Sequence, residues 1–376
     1  MKNSFGNSLS VTLFGESHGE AIGAVIDGIS PGICIDEEFI KKQLSRRRPS
    51  SPIDTARREP DNYRIVSGVF NGKTTGTPIC IIIPNENTKS SDYIYGPARP
   101  SHADYSAFCK YHGFEDYRGG GHFSGRLTAA LVAVGGILMP ALERLGIRLG
   151  THILKCGGVK DVSFGDSANG NIYNDISLLY NADFPVIDCE RGCEMADKIL
   201  KAKNDCDSIG GITQTAVVGI PAGLGEPYFD SIEGMLSHAL FGIGGIKGIE
   251  FGYGFGFSDG RASELNDRLR MVNGKVTTET NNNGGINGGI TNGMPVVFQC
   301  AVKPTPSISK EQETVDFIKC ENTELTIVGR HDPAIIRRIC PVIDSVTAIV
   351  VADMLVGKYG VDILAKEALP DNTARK

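Results

Sequence analysis

The chain is 376 residues long, 41% hydrophobic and 22% charged, with a formal net charge of −6 at pH 7. That apolar content allows a substantial buried core, and the length alone would permit two or three domains. The acidic balance argues against wholesale attraction to nucleic acid or an anionic membrane, but it leaves room for a local basic pocket.

The N-terminal residues Met1-Lys2-Asn3-Ser4-Phe5-Gly6 are not a basic stretch followed by an apolar core, so no secretory leader is expected. Short β-rich segments follow at Leu9 to Phe14, Ala21 to Ile26, Tyr63 to Phe70 and Pro78 to Ile83, each bounded by Gly, Pro or Asn. Between them, Asp36 to Arg47 has an acidic first turn and a basic last turn, as a helix dipole prefers. Ser124 to Leu145 reads as a long apolar helix with Ser124 as N-cap. Its most apolar run, Leu127 to Leu142, is 16 residues long and contains Gly135, Gly136 and Pro140. It falls short of the roughly 20 residues that span a bilayer and predicts a buried helix. Further helices are expected at Cys189 to Ala202, Ser231 to Leu240 and Pro333 to Lys358, the last with a break near Pro341. Strands are expected at Ile212 to Ile220 and Met294 to Lys303. Strands and helices mix without strict alternation, which predicts an α+β fold with antiparallel pairing in a single unit spanning residues 1–376. Asn273 to Gly293 is too polar and glycine-rich for a core element and predicts a long, mobile loop. The ten cysteines lack Cys-x-x-Cys spacing, which predicts reduced, cytoplasmic usage with each cysteine a small buried hydrophobe.

Two familiar motifs fail. Ser67 stands where a phosphate-binding loop needs its first glycine, and Pro78 then leads into a strand instead of a helix. Gly252-Tyr253-Gly254-Phe255-Gly256-Phe257 lacks the third glycine of a dinucleotide fingerprint and reads as a glycine-rich strand. The seven histidines are dispersed without metal-ligand spacing, so no metal is expected.

Arg46, Arg47, Arg48, Arg57, Arg58 and Arg64 fall within 19 residues, and Arg99, Arg118 and Arg126 follow. Guanidinium forks suit carboxylate and phosphate, so convergence would create a pocket for a small polyanion. A solvated helix end paired with Glu37, Glu38 and Glu59 explains the same cluster. Tyr117-Arg118-Gly119-Gly120-Gly121-His122-Phe123-Ser124 precedes the long helix and offers free backbone N–H groups to an anion, or is simply a turn. His18 and His102 sit on loops beside charge and titrate in the range useful for general acid catalysis, or are surface groups. Spacing alone does not bring them together.

In order and spacing, Gly15-Glu16-Ser17-His18-Gly19, Arg46-Arg47-Arg48-Pro49, Arg57-Arg58-Glu59-Pro60-Asp61, Arg99-Pro100-Ser101-His102-Ala103-Asp104 and the triple glycine resemble the chorismate synthase family. The likeness continues through Gly219 to Pro227, Lys247 to Gly252, Gly293-Met294-Pro295, Lys303-Pro304-Thr305-Pro306-Ser307 and Gly329-Arg330-His331-Asp332-Pro333. It implies a β-α-β sandwich of two antiparallel sheets with helices packed outside, assembled as a homotetramer. It also implies a lyase that removes phosphate from 5-enolpyruvylshikimate 3-phosphate by 1,4-anti elimination, giving chorismate. Reduced FMN is required without net redox change, and NADPH is a possible flavin reductant. By this resemblance His102 assists phosphate departure, His18 protonates or stabilises reduced flavin, and Asp332, with Ser17, acts near flavin N5. Ser124, His122, Phe123, Gly244, Gly245, Gly288, Lys303, Pro304, Thr305, Pro306, Ser307 and Arg330 map to the cofactor, and Arg47, Arg48, Arg126 and Arg337 to the anionic substrate. Many members have Arg-Ser where this chain has His122-Phe123, and an arginine where it has Ile53. Rival readings are a flavin or NADPH oxidoreductase and a non-catalytic anion- or RNA-binding module. The module is disfavoured because no aromatic platform is interleaved with the arginines. Neither nucleic acid nor membrane is expected as a partner.

Overall fold

The computed structural model describes residues 2–55, 59–88, 90–166, 171–327, 332–367 and 369. Five antiparallel strands form the N-terminal sheet in the spatial order Ser4–Phe5, Ser10–Gly15, Ala21–Asp27, Ile79–Pro84, Arg64–Ser67. Alternation sets its faces: Ile79, Ile81 and Ile83 point inward and are fully buried, each worth about 1.5–3 kcal/mol relative to exposure. A second antiparallel sheet runs in the order Ile246–Phe251, Val296–Val302, Gly211–Val218, Arg148–Cys156, Val159–Lys160.

Two apolar helices, Thr128–Arg144 and Ile336–Tyr359, pack against each other. The first also touches the N-terminal sheet, and the second touches the second sheet. They approach closely because of glycine: a Cβ at Gly135 would lie 2.3 Å from Ser345 Oγ. One at Gly136 would lie 2.9 Å from Ile40 Cγ1 of the Glu37–Arg47 helix. These two helices are interior, which corrects the expectation that helices lie outside. Counted with the 3₁₀ turn that precedes it, the first (Gly125–Arg144) is, like the second, long and apolar enough to cross a membrane, yet 78% and 94% of their most apolar windows are buried inside this fold. The Cys189–Asn204 helix is amphipathic and lies nearer the surface, with Met195 and Ile199 turned inward.

Other expectations need correction. The C-terminal helix runs unbroken through Pro341, because its residues are buried on almost every side and packing outweighs the lost backbone hydrogen bond. Gly252 to Phe257 is not a strand. The strand ends at Phe251, and Gly254–Asp259 turns as a 3₁₀ segment. Asn273 to Gly293 is not a bare loop either, since Lys275–Thr278 pairs with Leu269–Val272 and Ile286–Asn287 pairs with Ile290–Thr291. Asp267 ties the asparagine run down, accepting from the amides of Asn282 (2.7 Å) and Asn283 (2.8 Å). Only Cys156, Cys300 and Cys340 are buried, while six cysteines are exposed, so the buried-hydrophobe reading holds for a minority.

Candidate active site

The turn Arg118–Phe123 is the hub of the site. Gly119, Gly120 and Gly121 have φ of 60°, 81° and 52°, which side-chain-bearing residues rarely adopt. Room is a second reason for glycine. A Cβ at Gly119 would lie 2.4 Å from His18 Cδ2 and 2.9 Å from Ser17 Oγ, and one at Gly120 would lie 3.1 Å from His102 Cε1. The two histidines that spacing left apart therefore flank adjacent glycines. Ser17 N–H donates to Gly121 O at 3.0 Å, and His122 Nδ1 lies 2.9 Å from Gly15 O. These contacts lash the Gly15 to Gly19 loop, between two strands of the N-terminal sheet, to the turn.

His18 is buried, with Nδ1 3.0 Å from Ser90 Oγ and its ring edge-on to Tyr93. Ser17 Oγ is fully buried with no hydrogen-bond partner among the described residues. His102 Nδ1 lies 3.1 Å from Asp104 Oδ1 and 3.1 Å from Arg99 Nη2. Arg99 and Asp104 are themselves paired at 2.6 Å. Burial pushes the Asp104 pKa up, but the bonds from Arg99 and His102 outweigh it and hold the carboxyl well below the usual carboxylate range.

A cavity of about 240 Å³ is walled by Arg47, Arg48, Arg126 and Arg338, with Glu59, Ser124, Thr128, Gly244 and Asp332. Asp61, just behind, receives Arg47 Nη2 at 2.9 Å and a short contact from Arg126 Nη1. Its pKa, which burial would raise, is lowered by Arg47 and Arg126. Arg126 also donates to Asn85 Oδ1 (2.9 Å) and Pro84 O (3.0 Å). Asn85 Nδ2 in turn donates to Glu16 O and Gly19 O at 2.9 Å, so one side chain links the arginine cavity to the His18 loop. Asp332 accepts from Thr55 N at 2.9 Å and pairs with Arg338, whose pKa is lowered by burial despite Asp332. Arg47 Nε is buried and has no partner among the described residues. Among the described residues, four guanidiniums against three carboxylates (Glu59, Asp61, Asp332) leave one positive charge in surplus and an unspent N–H donor, an arrangement suited to an anion.

A larger cavity of about 790 Å³ adjoins the turn, with His18, Arg99, His122, Phe123 and Ser307 in its wall beside the rings of Phe14, Tyr93, Tyr95, Tyr111, Tyr117 and Phe317. The residues assigned to a cofactor thus divide. Ser124 and Gly244 face the arginine cavity, whereas His122, Phe123 and Ser307 face the aromatic one. Lys303 spans the parts: its Nζ donates to Ser101 O at 2.7 Å, next to His102, and its amide donates to Gly245 O at 2.9 Å. Burial, then the nearby Lys247, lowers its pKa. Pro304 packs on Gly210, and Thr305 Oγ1 is buried without a partner among the described residues. Pro306 follows in the same segment. Gly288 lies at a hairpin tip and walls neither cavity. Arg57, Arg58, Arg330 and His331 lie outside the described residues.

Arg337 is turned away from the cavity wall. It grips Asp54 through Nε (3.2 Å) and Nη2 (2.5 Å) and donates to Asp183 O and Arg48 O. Its neighbour Arg338 faces the cavity instead. Sequence reasoning missed Arg338 because adjacent helical residues differ by about 100° in direction and nothing in Arg337-Arg338 sets the phase. It also gave no role to Asp61, Asn85 and Asp104, although two of them stand inside quoted motifs, where an acid amid arginines was the available signal.

The family model for chorismate synthase matches residues 9–356. The chain is 45% identical over 353 residues to the chorismate synthase of Pyrococcus abyssi, covering 93% of this chain and 96% of the relative. It is 42% identical over 358 residues to that of Dehalococcoides mccartyi, covering 94% and 96%. A crystal structure of chorismate synthase superposes with a TM-score of 0.75 at 28% identity, covering 95% of this chain and 94% of that one.

Proposed function

The chain belongs to the chorismate synthase family, and we propose that its arginine-walled cavity holds the substrate of that family's reaction, while the glycine turn sets His102 to serve the substrate and His18 to serve the flavin. The enzyme is a lyase: 5-enolpyruvylshikimate 3-phosphate loses phosphate and a ring hydrogen to give chorismate, in a reaction that depends on reduced flavin. The unspent donor on buried Arg47, amid a surplus of guanidinium charge, carries the assignment of the cavity. A buried cation keeps a free N–H at high cost unless a ligand takes it up.

Arg47, Arg48, Arg126 and Arg338 bind and orient the carboxylates and phosphate of the substrate, with Asp61 fixing Arg47 and Arg126. His102 gives a proton to the departing phosphate. Asp332, whose oxygens are held by Thr55 and Arg338, acts with Ser17 in receiving the ring proton. His18, in the wall of the aromatic cavity, serves the flavin side.

The residues fit a flavin. The hydroxyls of Ser17 and Thr305, without partners among the described residues, and the partly buried Lys303 are the polar groups such a ligand needs, and aromatic rings line the adjoining cavity. Bound there, reduced flavin supplies electron density to the allylic system as the carbon–oxygen bond breaks. We read the flavin as FMN, with Ser124, His122, Phe123, Gly244, Gly245, Gly288, Lys303 to Ser307 and Arg330 as its contacts. NADPH is its proposed reductant.

The finer architecture is read as the family's β-α-β sandwich in one unit, supported by two interior helices, packed on each other, that together contact both sheets. A homotetramer is supported by apolar side chains turned outward, including Tyr228, Phe229, Phe255 and Met271. Ten free cysteines support a reducing, cytoplasmic setting. The decisive test is an anaerobic assay of phosphate release, first with chemically reduced FMN and then with oxidised FMN plus NADPH. Release in the first arm is expected, release in the second supports NADPH as reductant, and release in neither overturns the assignment.

A further inference from the structure

We propose that Asp104 is a positioning residue for the elimination: it holds His102 by Nδ1, so that Nε2 is the nitrogen that exchanges the proton. The proposal rests on the reading of His102 as the acid for phosphate departure. Two groups of opposite kind meet at Nδ1. Arg99 Nη2, at 3.1 Å, can only donate, and ionised Asp104 Oδ1, also at 3.1 Å, can only accept.

Arg99 is already committed to Asp104 through Nε (2.8 Å) and Nη2 (2.6 Å), and the Arg99 amide donates to Asp104 Oδ2 at 3.0 Å. The carboxylate is thereby fixed in place and kept ionised, making it the stronger partner for Nδ1–H. The far edge of the ring faces the glycine turn, where a Cβ at Gly120 would sit 3.1 Å from Cε1 and 3.6 Å from Nε2. Lys303 braces the same loop from the other side through Ser101 O.

In the imidazolium both nitrogens carry hydrogen. Transfer of the Nε2 proton to a phosphate oxygen leaves a neutral ring protonated at Nδ1, still bonded to Asp104, so no rotation or tautomer change accompanies the step. An aspartate that orients a histidine in this way acts on turnover through the tautomer it enforces.

The test uses the FMN-loaded full-length enzyme, wild type and the variants Asp104→Asn, Asp104→Glu and His102→Gln. Ring-¹⁵N magic-angle-spinning NMR reads the tautomer of His102, whose signals are those lost in His102→Gln. Neutral His102 is expected to be protonated at Nδ1 in the wild type and mainly at Nε2 in Asp104→Asn, where Arg99 is released to donate to Nδ1. Asp104→Asn should lose about 100-fold or more in kcat with KM for the substrate within about threefold, and Asp104→Glu should recover at least tenfold of that loss. Full turnover in Asp104→Asn overturns the proposal, as does an inactive Asp104→Asn whose His102 stays protonated at Nδ1. If Asp104→Asn does not fold, the wild-type spectrum decides: an Nε2–H ring overturns the proposal. Wild-type turnover in His102→Gln sinks instead the reading of His102 as the acid, and leaves the tautomer result to stand by itself.

Discussion

The molecule contains two histidine–aspartate pairs of similar chemistry in very different settings. His152 Nδ1 lies 2.9 Å from Asp161 Oδ2, inside the second sheet, and both side chains are completely buried. His152 Nε2 lies 3.1 Å from Gln214 Oε1, an oxygen that also accepts the Phe164 amide at 2.8 Å. Both ring nitrogens are thus engaged by side chains of the fold. Asp161 also accepts the amides of Ile187 (2.7 Å) and Asp188 (2.9 Å), so the pair fastens the segment after the sheet's edge to the strand Arg148–Cys156. In the His102–Asp104 pair the side chains keep 20% and 17% exposure, and the Nε2 edge lies beside a glycine that leaves room. Pairing with a carboxylate therefore does not mark a functional histidine. What sets His102 apart is a second ring nitrogen with no partner among the described residues, on a side chain that solvent still reaches.

The sharpest way to break this comparison is the same substitution at both histidines. His102→Gln should cost two to four decades in kcat, the usual worth of a positioned general acid, with thermal stability nearly unchanged. His152→Gln should leave turnover per folded molecule within about twofold, yet lower the unfolding free energy by about 1–3 kcal/mol, since it removes one hydrogen-bond partner from a buried carboxylate. Steady-state kinetics and urea unfolding on both variants give the four values. A folded His152→Gln enzyme that is inactive would erase the distinction.

The same contrast applies to the arginines, at smaller size. Arg47 keeps an unspent Nε donor, whereas Arg337 spends its hydrogen bonds on Asp54, Asp183 O and Arg48 O. Arg47→Lys should raise KM for 5-enolpyruvylshikimate 3-phosphate about 10- to 100-fold, the loss of one charge-assisted fork contact of about 1.5–3 kcal/mol. Arg337→Lys should change KM less than twofold and instead loosen the Ser50 to Asp54 loop. Equal KM effects at both positions would place Arg337 in the substrate pocket, as the sequence resemblance first implied.

How far the sequence reached follows from which interactions are local. The Glu37–Arg47 helix was legible because the charges at its ends follow the dipole, and the Asp36 carboxylate that caps it, accepting from Phe39 N–H, emerges only in the structure. The strands at Ala21–Asp27 and Ile79–Pro84 were legible from their β-rich composition and the breakers that bound them. Arg148–Cys156 was passed over because its residues are buried almost throughout, leaving no alternation to read, and Pro341 suggested a break that tertiary packing overrides. In the site, His18, His102 and the glycine turn were individually visible in the motifs. Their convergence depends on Gly119 and Gly120 meeting side chains roughly 100 and 18 residues away in the chain, which no local pattern encodes. Asn85, linking Arg126 to the His18 loop, has no sequence signature, because an asparagine beside a strand reads only as a turn former.

The smallest expected effect concerns acid. For Asp161, burial raises the carboxyl pKa, but the His152 bond and the Ile187 and Asp188 amides outweigh it, so the folded value lies below the ordinary 3.8. A depressed carboxylate contributes stability that is complete above the unfolded value and is lost as pH falls through the folded one. In urea unfolding, the stability gap between wild type and Asp161→Asn should therefore be flat from about pH 7 to pH 5 and shrink below about pH 3.8. Asp104 is depressed in the same direction, so its gap to Asp104→Asn should close over the same acid range. It should be the smaller gap at every pH, because solvent reaches that pair and screens it. A gap that widens on acidification at either site would mean that the carboxylate is held against its charge, and the two pairs would then differ in kind and not only in access.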